Sequence, residues 1–255
     1  MPPTAVPRGL KSKLKSSSPS KFVKGKFAHF SLLDNTKLKG ITKLLTEKLY
    51  SNGKLPEEAI HAPPGWKPAV WAGDGGGLRR GRAVDSQCCR LAAMSEKYRR
   101  MSQTYKITRY IFNALEKAGL EPIMGQRCVA SAKHRLGTAC DLVCYNKDTN
   151  EVVVVELKTG FKANINLPAV NGKKKPLNMN SPCSTAPDCI LHRHFAQLAV
   201  TRFMLASEPG ILQKLGVSGI AAALLHANDS ETSLYILPNW WQKRGKAITE
   251  AISAA

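Results

Sequence analysis

GTACDLVCYNKDTNEVVVVELKTG, residues 137–160, is the stretch on which the reading of this chain turns. Gly137 to Tyr145 and Val152 to Lys158 have the β-branched and apolar content of strands, and Asn146-Lys-Asp-Thr-Asn150 between them is made of turn-forming residues. The unbroken run Val152 to Val155 predicts a central strand covered on both faces. Side chains alternate along a strand, so Glu156 and Lys158 share one face while Val153, Val155 and Leu157 turn to the other. A charged pair thus interrupts a strand otherwise suited to burial. Antiparallel pairing through the turn can bring Asp141 beside Glu156. Charges inside apolar strands cost several kcal/mol apiece unless they are paired or bind a cation, so this group calls for a chemical explanation.

Metal-assisted phosphodiester hydrolysis is the chemistry that fits. Asp141 and Glu156, with water and the backbone carbonyl of Leu157, offer the oxygen ligands that Mg²⁺ takes, and Mn²⁺ can substitute. The metal polarises a phosphoryl oxygen and lowers the pKa of a bound water. Lys158 orients or helps deprotonate that water and offsets charge developing on the phosphate.

The flanking sequence alternates between helical and strand periods. Ala83 to Met101 and Gln103 to Ala118 predict helices, the second with an apolar stripe at Ile107, Tyr110, Ile111, Ala114 and Leu115 and a stop at Gly119. Glu121 to Ala132 predicts a strand. Past Gly160 comes a long irregular segment, Lys162 to Asp188, in which Lys173, Lys174 and Lys175 are expected to hold the DNA backbone leading into the site; segments of this kind are more often functional than accidental, and this one is expected to order on substrate. A helix from Ile190 to Leu205, strands Gly219 to Ala227 and Ser233 to Leu237, and a helix from Asn239 to Ala251 complete the chain, with Trp240 and Trp241 as core packing or an anchor at the last helix start. The expected fold class is α/β (α+β), a mixed central sheet with flanking helices, over residues 78–255.

Ahead of this domain, Ser31 to Tyr50 has helical spacing, and Pro56 to Pro68 and the Gly73–Gly77 loop read as irregular, giving an accessory helix and linker over 34–77. Residues 1–33 are Lys-, Pro- and Ser-rich with no acid before Asp34, which predicts a disordered basic tail; a nuclear address, a nucleic-acid-binding arm and a mitochondrial presequence are the functional alternatives. Across the chain, 38 Lys plus Arg against 18 Asp plus Glu give a net charge of +20, so a polyanion is the expected partner, DNA first. No apolar run is long enough for a membrane span and no secretory h-region opens the chain, so the expected setting is intracellular, the nucleus first and the mitochondrion second. The 7 cysteines are an odd number with no CxxC, which predicts reduced thiols.

Gly137-Thr-Ala-Cys-Asp141, then Glu156-Leu-Lys158-Thr-Gly160, resembles the D…ExK signature of the PD-(D/E)XK nuclease superfamily, in particular its RecB-like and lambda-exonuclease-like branch. The order of elements over about residues 78–240 is similar too. The resemblance implies a restriction-endonuclease-like core and a nuclease acting on DNA in replication, repair or recombination, from ends or on single strands. It implies catalytic roles for Asp141, Glu156 and Lys158. His194-Phe-Ala-Gln197 resembles that branch's Gln motif, whose amide contacts DNA or organises the site. Asp85 stands where the family often has a metal-touching acid. Cys140 replaces a frequent Pro, and Thr201 stands where the Gln motif usually has Tyr, two departures from the pattern.

Structural readings stand beside the functional ones. Gln197 also suits the polar side of an amphipathic helix, and a first-turn acid such as Asp85 is favoured by the helix dipole. Arg79, Arg80 and Arg82 after the glycine loop suit either a solvated turn or a phosphate contact. His192 and His194 with Cys183 and Cys189 match no common closed zinc spacing. A nucleic-acid-binding protein of the same fold without turnover is the competing function.

Overall fold

Val152 to Val155 are at most 2% exposed, as a strand covered on both faces requires. The protein is seen here as a computed structural model, which describes residues 6–23, 29–60, 76–102, 105–160, 164–228 and 230–254. The fold is mixed α/β around an eight-stranded mixed sheet. At its centre, β5 (Leu136–Asn146) and β6 (Glu151–Thr159) pair antiparallel from Leu142↔Val155 to Asn146↔Glu151. Asn146 Oδ1 closes the turn by accepting the N–H groups of Asp148 at 2.9 Å and Thr149 at 3.3 Å, and Asn150 takes the left-handed φ of +54° that Asn tolerates. β4 (Leu120–Ser131) runs antiparallel along β5. On the other side of β6 lies β7 (Gly219–Ala227), in parallel, and then β8 (Thr232–Ile236), antiparallel. Parallel neighbours need a crossover, and α7 (Ile190–Ala206) lies on that connection.

Helices cover both faces of the sheet. Val153, Val155 and Leu157 pack with α4 (Gly76–Ala92) and α6 (Lys106–Lys117) through Val84, Cys88, Leu91, Ile107 and Ile111. Val152 and Val154 face the opposite layer, formed by α1 (Leu10–Ser16), α2 (Ile41–Lys48), α7, α8 (Ile211–Leu215) and α9 (Asn239–Ser253). The two faces of β6 therefore separate as strand alternation predicts, and Glu156 and Lys158 belong to the α7 side. Trp241, at the start of α9, is 3% exposed and packs on Phe195 and His192.

The amino-terminal region departs from the expected tail. Among its described residues, 10–16 form α1, and Ser20–Val23 and His29–Leu32 form strands β1 and β2. Average composition hides Leu10 and Leu14, four residues apart on one helical face and buried at 1% and 0%. Arg127, itself buried on β4, donates from Nε to the Leu14 carbonyl at 3.1 Å and from Nη2 to Ser17 Oγ at 3.1 Å. It also grips Glu208 with bonds of 3.0 and 2.7 Å. The helix expected over Ser31 to Tyr50 forms only from Ile41. The residues before it make β2, a turn and β3 (Lys37–Gly40), because Asp34 Oδ1 accepts the Thr36 N–H at 2.8 Å and Asn35 adopts φ +70°. Ile41, Leu44 and Leu45 join the same core as α7, so 34–60 is part of the main body and not an accessory unit.

The long helix expected over Ala83 to Met101 is two helices. α4 ends at Ala92, Ser95 is extended, and α5 (Glu96–Met101) follows, while a short α3 spans Glu57–Ile60. Most of the expected linker lies in 61–75, outside the described residues. Residues 164–188, expected to be irregular until substrate binds, fold onto the core. Ala169 donates to Asp188 O at 2.7 Å, Leu177 to Ala169 O at 2.8 Å and Met179 to Ala186 O at 2.9 Å, while Ala169, Met179 and Cys183 are buried. Asp188 anchors the segment by accepting from Ser51 and Arg193 at 2.6–3.0 Å. Among the described residues no helix is long and apolar enough to cross a membrane.

Candidate active site

Strands β5 and β6 are zipped together only as far as Leu142↔Val155. The next pair in register would be Asp141 and Glu156, and there the strands part. Asp141 Oδ2 accepts the Leu157 N–H at 2.8 Å, so a carboxylate takes the place of a backbone carbonyl in the ladder. The far end of β5 instead meets β3, in parallel, at Lys39↔Leu136 and Gly40↔Gly137. β5 residues between those contacts, Thr138, Ala139 and Asp141, border the cleft that opens where its neighbours diverge, and Glu156 and Gln197 border it too; its volume is about 1410 Å³.

Two glycines make this arrangement possible. A side chain on Gly137 would come within 2.6 Å of Phe30 Cβ, so the β2–β3 ribbon can lie against β5 only with glycine there. A side chain on Gly125 would meet Cys89 Cα at 2.4 Å, so α4, which carries Asp85, can approach β4 only at that position.

Glu156 is buried, and both of its hydrogen bonds fall on Oε1, from Lys158 Nζ at 2.6 Å and Gln197 Nε2 at 2.8 Å. Gln197 reaches it from α7. Among the described residues Asp141 Oδ1 and Glu156 Oε2 carry no hydrogen bond, which leaves one oxygen of each carboxylate for another ligand. Burial, together with the Glu156 charge, pushes the Asp141 carboxyl up to about 8. Burial pulls the Lys158 ammonium down, but the Glu156 carboxylate beside it outweighs that and leaves its pKa raised. The site thus sets two carboxyl groups, one of them kept largely protonated, against one protonated amine.

The other predicted site residues are distributed unevenly. Asp85 lies near Asp141, but its Oδ2 accepts from Gln126 Nε2 at 2.8 Å and its Oδ1 from Cys89 Sγ at 3.5 Å, so both oxygens are engaged. Arg80 is 2% exposed, inside the protein beside the end of β6, where a side chain on Gly160 would meet its guanidinium at 3.7 Å. Arg79 and Arg82 are exposed on the same helix. Burial, with Lys158, His226 and Arg193 nearby, lowers the His194 pKa to about 3, so it meets a ligand as a neutral imidazole rather than a cation. Lys173, Lys174 and Lys175 occupy an exposed turn closed by Asn171 Oδ1 and do not border the cleft. Thr201, in the position where Tyr was expected, bonds back to the Gln197 carbonyl at 2.9 Å.

The cleft's basic wall is made by residues that sequence reasoning passed over. Lys37 and Lys39 on β3, Lys43 and Lys48 on α2, and Arg135 in the β4–β5 turn border it. The parallel contact of β3 with β5 brings the lysines to the carboxylates, and no local pattern marks such a contact. The protein's charge made a polyanion site expected somewhere; their location required the fold.

No protein-family model matches the chain, and no curated protein matches it. Among the described residues no three His, Cys, Asp or Glu side chains gather as a metal cluster. Two carboxyl groups with an open oxygen each, one of them held protonated by burial and by its like-charged neighbour, are nevertheless a donor set short of positive charge. A hard cation that completes its shell with water and a backbone carbonyl suits that set. All 7 cysteines are free thiols, and burial raises the pKa of each.

Proposed function

We propose that this protein is a Mg²⁺-dependent nuclease built on a PD-(D/E)XK-type core, hydrolysing DNA phosphodiester bonds. The observation that carries the proposal is the Asp141 carboxylate set into the fork between β5 and β6, beside a Glu156 held by Lys158 and Gln197, at the floor of a cleft with a basic wall.

Asp141, Glu156 and the Leu157 carbonyl would hold the cation, with Mn²⁺ as a substitute. Bound there, it supplies Lewis-acid polarisation of the phosphoryl oxygen and a more acidic water. Lys158 already carries its proton, which favours offsetting charge on the phosphate over acting as a base. Gln197 fixes the Glu156 carboxylate through Oε1, so its part is positioning the second oxygen. The lysines and Arg135 of the cleft wall hold the backbone by counterion release.

Linear end-labelled DNA incubated with the full chain and Mg²⁺ is expected to be cleaved, and Asp141→Asn or Glu156→Gln to abolish cleavage while DNA binding persists. Cleavage retained in both variants would sink the assignment. The Glu156–Lys158 pairing at 2.6 Å also suits a site that binds nucleic acid without turning it over. That reading predicts tight binding and no Mg²⁺-dependent products in the same assay.

A further inference from the structure

Phe22 stands 45% exposed on β1, between Lys21 and Val23, and is not among the buried core residues. Its partner across the strand pair is Phe30 on β2, with ring centroids 5.1 Å apart and planes inclined at 58°. Phe30 is in turn paired with Leu38 on β3, which is buried, and its Cβ lies over Gly137. The inner ring is thereby anchored to the main sheet and the outer ring is presented. Both rings border the same cleft as Asp141 and Glu156.

The cations of the cleft wall make this more than an exposed apolar residue. Lys37, Lys39, Lys48 and Arg135 border the cleft alongside the rings, and Lys43 does so with only a largely exposed ion pair to Glu47 at 3.6 Å. Cations that take a phosphate backbone, interleaved with aromatic faces that take bases, are how sequence-tolerant single-strand grooves are made. In a duplex interior the bases stack on each other and offer no face to a protein ring. A protein chain would match this concentration of lysine and arginine only if it were densely acidic, whereas every nucleotide brings a counter-charge.

We propose that Phe22, braced by Phe30, is a stacking platform for unpaired bases, so that the cleft takes single-stranded nucleic acid and delivers it to the carboxylates. The proposal rests on reading the cleft as the nucleic-acid path, and its test needs no catalysis.

The full chain in EDTA is titrated, by fluorescence anisotropy, into an unstructured labelled DNA oligonucleotide, an RNA of the same sequence, and a closed DNA hairpin of equal phosphate count. Wild type is expected to favour at least one of the single strands over the hairpin. Phe22→Ala should weaken that single-strand binding about five- to twentyfold, the lower part of the range for one stacked base because the ring is half-exposed, with hairpin binding changed less than about twofold. Phe22→Tyr should retain the preference. Phe22→Leu, which keeps apolar contact with Phe30 and removes the aromatic face, should behave as Phe22→Ala, and this guards against a folding defect in the latter.

Equal losses on single strand and hairpin, no loss on either, or no single-strand preference in wild type would each overturn the proposal. Absence of cleavage in the separate Mg²⁺ assay would remove the nuclease reading and leave the stacking result standing.

Discussion

Replacing Asp141 with Asn removes one charge and little else, since the amide oxygen can still accept the Leu157 N–H that the carboxylate accepts at 2.8 Å. The fold holds the Asp141 carboxyl near pH 8 against an ordinary value of 3.8, through burial and the Glu156 charge. Its folded pKa is raised, so without metal the protein loses stability as pH climbs from about 4 to about 8, and the penalty is absent at lower pH where both folded and unfolded chains are protonated. At about 1.4 kcal/mol per pH unit the whole span sets a ceiling on the order of 6 kcal/mol. Two carboxylates share the proton and the cleft reaches water, so about 1–3 kcal/mol is expected in practice. Asparagine carries no such penalty. In EDTA near pH 8 the variant should therefore melt about 3–10 °C above wild type, given about 2–4 °C per kcal/mol for a chain of this size. The gap should shrink towards about pH 5, and saturating Mg²⁺ should close it by stabilising wild type alone. Thermal unfolding followed by circular dichroism over that pH range is the assay. A variant no more stable than wild type near pH 8, or a difference independent of pH, would refute the idea that Asp141 and Glu156 repel each other in a site awaiting a cation.

Lys158→Ala should lower the turnover number by at least about a hundredfold with little change in DNA affinity, read from single-turnover cleavage and anisotropy, because the proposed role of the amine is to offset charge on the reacting phosphate. Leu14→Ala should cost about 2–5 kcal/mol in urea unfolding, since the side chain is fully buried. Deletion of residues 1–33 should destabilise the fold further, through the loss of Arg127's partners at Leu14 and Ser17. Changing Lys37, Lys39 and Lys43 together to Ala should flatten the dependence of log K on log salt by about 0.7–0.9 for each phosphate no longer neutralised, whereas the same change at Lys173, Lys174 and Lys175 should leave the slope unchanged.

The hairpin at the centre of the sheet was legible because its information is local. A run of valines, a turn closed by Asn146 and a strict two-residue alternation determine where Glu156 and Lys158 point, and neighbours in the chain decide all three. β7 was legible to the residue for the same reason, as an apolar strand bounded by glycine and a polar turn. The amino-terminal region was misread where local signals compete with distant ones. Leu32 and Leu33 continue the helical spacing of α2, but the Asp34–Thr36 turn bends the chain first, and pairing with β1 and β3 makes residues 29–32 a strand. Leu10 and Leu14 count for little in a lysine-rich average, yet a receptive surface around Arg127, more than a hundred residues away, buries both.

The sequence by itself determined which carboxyl groups, which amine and which amide come together, since these lie on one hairpin and the helix that follows it. Only the tertiary structure decided the setting. It parted β5 from β6 at Asp141, engaged both oxygens of Asp85, buried Arg80, and brought the lysines of β3 and α2 to the cleft wall in place of Lys173–Lys175. The reason is physical. A side chain's direction along a strand follows from local sterics, but its charge state, its free oxygens and its neighbours across the cleft follow from burial and long-range pairing, which no short window of sequence contains.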